Sequence, residues 1–351
     1  MRRLATVLLA GALASSAALV IPTLSAASPR PAVARPWAPA KGIAIDLAGA
    51  NRLTDAKAMK IGGELFSMIA VKFHANAVSF NFPFYQSGSR TNDPQRAPMT
   101  PSPGRLVMLT ELAHRYHLSV QYRPYLWERN LRPPSRPSIH PSNASLWFQN
   151  YWTFLEPYLE SANQAGASSF SVALEFTSLL WQLPAWERIV QRAKTVYSGE
   201  LFYSQQHIPQ VTLPLTARGY DAYQPIPLKS DRYVSVAAFT IGFVKNFQMA
   251  GMQATPGDLT VEELGIPAVS GAYLRPNYFH YAPSTKVLRA VQTDWFAGAC
   301  NAFRKLHLAG LYYWSIDFNT FTPGENSSKK IYDWLATPSA TAIQSCFART
   351  P

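Results

Sequence analysis

Eight short extended runs recur along this chain, and longer stretches with helical spacing lie between them. No other feature limits the fold as strongly. The runs are Gly42–Leu47, Ala77–Phe82, Leu118–Arg123, one ending at Glu175, Leu201–Ser204, Tyr220–Tyr223, one ending at Glu263, and Leu311–Ile316. Pro83 and Pro124 read as stops of the second and third, since proline cannot donate to a sheet ladder. Leu106–Tyr116, Trp147–Ala165, Trp186–Tyr197 and Val287–Leu306 carry apolar residues at helical spacing. Strands that alternate with helices build βαβ units on a parallel sheet. Eight of them predict an α/β fold, a single closed (β/α)8 TIM barrel. The 351 residues exceed the roughly 250 that such a barrel needs. No glycine-rich phosphate loop follows the first run, which argues against an open doubly wound sheet.

Hydrophobic residues make up 48% of the chain and charged residues 15%, which supplies a large core and excludes a disordered chain. Met1-Arg2-Arg3 precedes an apolar stretch from Leu4 to Leu24, and Leu24-Ser25-Ala26 has the small-residue pattern of a signal peptidase site. Residues 1–26 therefore read as an export signal, the alternative being an uncleaved anchor. Residues 27–40 read as a Pro/Ala-rich linker, and 41–351 as the catalytic barrel with a C-terminal tail. The expected location is outside the cell or in its envelope. Lys plus Arg is 32 against 20 for Asp plus Glu, a formal charge of +12 that suits association with an anionic cell surface. The basic residues are scattered, however. The nearest to a cluster, Arg123 to Arg136, is split by prolines and matches no nucleic-acid motif, so no nucleic-acid partner is expected. Cys300 and Cys346 are the two cysteines and form a candidate disulfide between the last helix and the tail. Asn143-Ala144-Ser145 and Asn326-Ser327-Ser328 match the glycosylation triplet.

In a barrel of this kind the active site lies at the C-terminal ends of the strands. Asp46, Asn81, Arg123, Glu175, Asp221, Glu263 and Trp314 all fall at or near such ends. Two carboxylates among many aromatics suggest glycoside hydrolysis, which needs one carboxyl to give a proton and another to attack the sugar or activate water. Glu175 lies between Leu174 and Phe176, a setting that keeps a carboxyl protonated and suits a general acid. Its structural alternative is a pairing with an arginine such as Arg123. Adjacent strand residues point to opposite faces. Glu263 is therefore assigned to the barrel mouth, and Glu262 is expected to face the helical layer or solvent. Arg123 either fixes the nucleophile's charge by bidentate pairing or forms a structural salt bridge. Trp314 and Tyr223 are candidate sugar platforms, with Trp127, Trp181, Tyr85 and Tyr273 as further loop aromatics. Asp221 and Asp317 are spare acids that either bind a sugar hydroxyl or cap an element. The expected substrate-binding set is Asn81, Arg123, Asp221, Tyr223 and Trp314. The loops Gln86–Ser102 and Ala268–Ser284 are expected to shape the cleft, and the first to wall it. The seven histidines show no ligand spacing, and the two-glutamate chemistry needs no metal or cofactor, so none is expected; a serine-hydrolase reading lacks the Gly-x-Ser-x-Gly elbow.

Ala75-Asn76-Ala77-Val78-Ser79-Phe80-Asn81-Phe82-Pro83-Phe84-Tyr85 resembles the second strand of exported (β/α)8 glycoside hydrolases of clan A, most closely those of family 113. Thr100-Pro101-Ser102-Pro103, Tyr122-Arg123-Pro124, Tyr197 to Tyr203, Tyr220-Asp221-Ala222-Tyr223, Glu263-Leu264-Gly265-Ile266-Pro267 and Gly310-Leu311-Tyr312-Tyr313-Trp314 are similar to the same proteins. The resemblance runs from about Gly42 to Trp334, and the order of the motifs is more specific than any one of them. It implies a retaining mechanism, with Glu175 after strand four as acid/base, Glu263 after strand seven as nucleophile, and β-mannan as a candidate substrate. Leu174 departs from the pattern, since clan A members often carry Asn before the acid/base and family 113 members a small polar residue.

The reading is a secreted, monomeric, retaining glycoside hydrolase that cleaves O-glycosidic bonds of a poly- or oligosaccharide, with mannan or a cell-wall glycan as candidates. Retention requires the two carboxyls to lie about 5–5.5 Å apart. A non-catalytic carbohydrate-binding barrel and a cell-wall transglycosylase are the alternatives.

Overall fold

The computed structural model describes residues 37–132, 135–206, 213, 215, 217–228, 235–250, 258–278, 280–282, 284–322 and 331–351. The expected export signal at 1–26, most of the 27–40 linker and the Asn326 triplet lie outside them. Eight parallel strands close a barrel in sequence order. They are β1 (Ala40–Asp46), β2 (Ala77–Phe84), β3 (Ser119–Leu126), β4 (Ser169–Leu174), β5 (Glu200–Gln205), β6 (Ala217–Asp221), β7 (Leu259–Leu264) and β8 (Gly310–Asp317). Around them lie α1 (Asp55–Ser67), α2 (Pro103–His114), α3 (Ala144–Ala165), α4 (Leu183–Val196), α5 (Val236–Ala250), α6 (Arg289–Leu306) and α7 (Pro338–Ala348). Among the described residues no helix separates β5 from β6, and the expected C-terminal tail is largely α7.

Local chemistry starts and stops these helices. The Ser102 and Asn143 side chains accept the Arg105 and Leu146 amides at the starts of α2 and α3, which satisfies donors that a helix start leaves unpaired. Pro103 adds a preset φ at the start of α2. Gly166 ends α3 in the left-handed conformation (φ 71°), open to glycine at no steric cost.

β2 and β3 run through Pro83 and Pro124, correcting the expectation that these residues stop them. The register accounts for it. The Leu47 amide donates to the Asn81 carbonyl, so the odd-numbered residues of β2 face β1, which ends at Asp46 opposite Asn81. Pro83 therefore lacks an N–H on a side where no partner strand remains. Pro124 likewise faces β4 beyond their last paired residues, Tyr122 and Phe170.

The two faces of the barrel wall differ in chemistry. The outer face is aromatic and apolar. Phe80 stacks on Phe66 of α1, Tyr122 shares a hydrogen bond with Thr110 of α2, and Tyr313 packs on Phe296 of α6 and Phe347 of α7. Burial of this layer against the helices provides the main stabilisation of the fold, at about 25 cal/mol per Å². The inner face holds many polar side chains, among them Ser79, Asn81, Gln121, Arg123, Ser204 and Glu262, all buried. Glycine makes room there. A Cβ on Gly219 would sit 2.6 Å from Ser204 Oγ and 2.8 Å from Glu262 Cγ.

Cys300 of α6 and Cys346 of α7 are joined in a disulfide across a sequence separation of 46. The bond lies in the outer helical layer. Its removal by the paired change Cys300→Ser and Cys346→Ser should cost about 2–4 kcal/mol in urea unfolding. An unchanged midpoint would show that α7 is held by its apolar contacts alone.

Candidate active site

The C-terminal ends of the strands open into a cavity of about 710 Å³. Glu175, Glu263, Tyr223 and Trp314 line it, as expected from the sequence. The loop after β3 supplies Trp127, Glu128, Arg129 and Arg136, and the loop after β7 supplies Asn277, Tyr278 and His280. Gln86–Ser102 does not line this cavity, correcting the expectation that it walls the cleft; the loop after β3 takes that place. Of the other loop aromatics, Trp181 is exposed and Tyr273 is buried, neither lining the cavity. Tyr85 stands against Trp127, with ring centroids 6.0 Å apart. Asp317 caps a turn, its Oδ1 accepting from the Asn319 and Thr320 amides. Among the described residues no group of three or more His, Cys, Asp and Glu side chains could hold a metal ion.

Below the cavity lies a buried charge network centred on Arg123 of β3. Its Nη1 donates to Glu263 Oε1 and to Asn81 Oδ1, each at 2.9 Å, and its Nη2 donates to Asp221 Oδ1 at 2.8 Å. The guanidinium thus bridges two carboxylates and does not clamp Glu263 with both forks. Asn81, Arg123 and Asp221 have no exposed surface and do not line the cavity. Expected as substrate-binding residues, the three stand outside the cavity lining: Arg123 holds Glu263, and Asn81 and Asp221 hold Arg123. Tyr223 OH donates to Glu263 Oε2 at 2.9 Å, so each oxygen of Glu263 has its own donor. Burial raises the Tyr223 phenol well above its ordinary value and keeps that donor protonated. Burial also pushes the Asp221 carboxyl well up against the pull of Arg123, and its Oδ2 has no partner. The one guanidinium is thus shared between Asp221 and Glu263, at 2.8 and 2.9 Å.

Glu262 corrects a further expectation. Its side chain crosses the barrel interior and accepts a short hydrogen bond from Gln121 Nε2 of β3. The cause is a β-bulge. Tyr220 pairs with Val261, but its neighbour Asp221 pairs with Glu263, so Glu262 is an extra residue in β7. The ladder to β8 shifts over the same segment, from Val261–Leu311 to Leu264–Tyr313. A bulge breaks the alternation of faces, and both glutamates point inward at different depths. Burial raises Glu262 to about 7, against the pull of Arg123 and Gln121.

Glu175 follows β4 with φ at 58°, a left-handed conformation uncommon for a residue with a side chain and concentrated at functional sites. The Glu175 amide donates to the Ser204 carbonyl at 2.9 Å, and its carbonyl accepts from Thr177 at 3.0 Å, which hold the turn. Its carboxyl is buried and raised, first by desolvation and also by the charge of Glu263, with Arg136 pulling it down. Arg136 Nη2 stands 3.3 Å from Glu175 Oε2. The structural pairing considered for Glu175 is thus with Arg136 and not with Arg123. Sequence reasoning missed Arg136, although it closes the proline-split basic segment after the third strand. Asp46 also stands near the mouth, raised to about 6 by burial and bonded to Tyr125 OH at 3.2 Å.

The sequence profile of glycoside hydrolase family 113 matches residues 108–336, more than half of the chain. A family 113 β-mannanase from Alicyclobacillus acidocaldarius, solved in complex with ManMIm, is similar in fold. The TM-score is 0.73 at 19% identity, over 89% of this chain and 98% of that one. A second family 113 β-1,4-mannanase, also solved as a complex, gives 0.73 at 15% identity over 88% and 99%. A family 5 subfamily 18 enzyme from Streptomyces cattleya, in complex with Manβ1-4GlcNAc, gives 0.58 at 10% identity over 89% and 81%. A comparison with curated proteins finds no match.

Two outcomes follow from the buried charges. Arg123→Met strips Asp221 and Glu263 of their cation and should destabilise the fold by about 3–5 kcal/mol in denaturant unfolding; a loss below 1 kcal/mol would mean that the network is dispensable. Glu262 has a folded pKa of about 7, above its ordinary 4.5. The folded state therefore holds its proton more tightly, and this stability is full below about pH 4.5 and lost as pH rises through 7. Glu262→Gln keeps an acceptor for Gln121 and removes that dependence. Above pH 8 it should be more stable than the parent by about 1–3 kcal/mol, and parallel stability curves across pH would refute this.

Proposed function

This chain belongs to glycoside hydrolase family 113, and from that premise we propose that it is a secreted, retaining hydrolase of β-1,4-linked mannose polymers or oligomers that uses Glu263 as nucleophile and Glu175 as acid/base. The observation that carries the division of roles is the contrast between the two carboxyls. Glu263 is pinned by Arg123 and Tyr223, one donor on each oxygen. That arrangement suits a carboxylate held in line with an anomeric carbon. Glu175 sits where burial favours its protonated form, which suits a proton donor.

In the first step Glu263 attacks the anomeric carbon while Glu175 protonates the departing glycosidic oxygen. The bond between carbon and leaving group breaks as a glycosyl ester forms on Glu263. In the second step the Glu175 carboxylate takes a proton from water, which attacks the same carbon and frees Glu263. Both inversions cancel, so the product keeps its anomeric configuration. Trp314, Trp127 and Tyr278 give the cavity flat apolar walls, which suit the C–H faces of sugar rings. The mannose assignment draws on the β-mannanases of the same family that share this fold. The secretion assignment draws on the Met1–Ala26 segment, with its basic start and apolar stretch.

Purified protein should release sugars from β-1,4-mannan or glucomannan and leave cellulose, xylan and arabinan intact. Proton NMR during the first minutes should detect the β-anomer of the new reducing end before mutarotation. Glu263→Gln and Glu175→Gln should each lower turnover on unactivated substrate by roughly 10² to 10⁴ or more. Initial α-anomer would overturn retention. Unimpaired turnover by Glu263→Gln would overturn the nucleophile assignment, and binding without turnover by the parent would favour a carbohydrate-binding barrel.

A further inference from the structure

The loop after β3 carries one cation directly onto the acid/base. Arg136 Nη2 stands 3.3 Å from Glu175 Oε2, with the arginine side chain 21% exposed and that of Glu175 7%. Three contacts hold Arg136 there. Its backbone amide donates to Glu128 Oε1 at 2.8 Å, its Nε lies 3.5 Å from the same oxygen, and its guanidinium carbon lies 5.8 Å from the centre of the Tyr125 ring. The loop is also tied to the one that follows Glu175, because Ser178 Oγ donates to the Ile139 carbonyl. A surface arginine that met Glu175 by chance would need none of this support.

We propose that Arg136 is a positioning residue for the reaction: it holds one oxygen of Glu175 and sets the pH above which the enzyme loses its proton donor. This rests on the assignment of Glu175 as acid/base.

The physical argument is a balance of opposed effects. Glu175 must hold a proton in the first step and release it in the second. Burial and the charge of Glu263 favour the neutral acid, and Arg136 favours the carboxylate. The other groups facing Glu175 are Glu128 on the Arg136 loop, Arg123 on β3, Asp221 and Tyr223 at the end of β6, and Tyr203 on β5. Among these Arg136 is the cation in direct contact with the carboxyl. When Glu263 becomes a glycosyl ester its charge disappears, and the pressure on Glu175 to stay neutral falls. Arg136 remains, so the balance tips toward the carboxylate at the step that needs a base. The partly exposed arginine keeps its own charge throughout.

The test compares the parent with Arg136→Gln and Arg136→Lys. The kcat/KM profile should lose its alkaline limb about one pH unit higher in Arg136→Gln, while Arg136→Lys, which keeps the charge, should stay near the parent. A structural role alone would lower the height of the profile and leave its limb in place. Carbon-13 NMR of glutamate-labelled protein gives a readout that needs no turnover, with the Glu175 carboxyl signal identified by its loss in Glu175→Gln. Its titration midpoint should rise in Arg136→Gln in step with the limb. If Arg136→Gln does not fold, Arg136→Met, which keeps the length and packing over Tyr125, takes its place with the same expected rise. An unmoved midpoint in the folded variant would overturn the proposal. A moved midpoint with an inactive parent would instead uphold the Arg136–Glu175 coupling and overturn the hydrolase assignment on which it rests.

Discussion

A fully buried guanidinium governs the barrel mouth. Moving Arg123 out of water is costly unless its donors meet partners; the strands supply Asn81 from β2, Asp221 from β6 and Glu263 from β7 to its two terminal nitrogens, and its Nε has no partner. These contacts reach across the barrel, and the nucleophile candidate is one of them. Its position is therefore set by the same electrostatics that make an arginine tolerable there. Such an ion network is weak evidence for net stability, since apolar packing could replace it. It does fix where the carboxylate points.

The bulge in β7 extends this network downward. A regular strand would send Glu262 and Glu263 to opposite faces. The inserted residue turns both inward, and Gly219 on β6 leaves the space that the Glu262 stem occupies. TIM-barrel interiors are usually filled by branched apolar side chains. Here the layer beneath the mouth is a polar one of Gln121, Glu262 and Ser204, and the apolar mass lies outside, between strands and helices. The mouth chemistry thus rests on a polar column whose protonation varies with pH.

The second carboxyl is held by different means. Glu175 depends on a left-handed turn after β4, a backbone bond to Ser204 and a loop arginine. One glutamate is part of the barrel wall and the other part of its rim. That difference suits the tasks proposed for them. A nucleophile has to stay charged and in place, and an acid/base has to change its proton count twice per turnover.

How far the sequence carries depends on the range of the forces involved. Hydrophobic periodicity and chain breaks act over a few residues, so the eight strands, most of the helices around them, the closed barrel and the place of Glu175, Glu263, Tyr223 and Trp314 at its mouth could be read from the chain alone. The order of weak motifs pointed to the family for the same reason. Pro83 and Pro124 misled, because whether a missing N–H matters depends on where the neighbouring strand ends. Glu262 misled, because a bulge is a property of two ladders and not of one strand. Asn81, Arg123 and Asp221 could be placed at strand ends, but only the closed barrel decided that they lie under the site and not on its surface. Arg136 stood in sequence as one more basic residue between prolines, 39 positions before the carboxyl it meets. Composition and spacing determine which segments become strands, helices and strand ends; which charges meet across the closed barrel is a matter of through-space distance, and only the tertiary structure sets that.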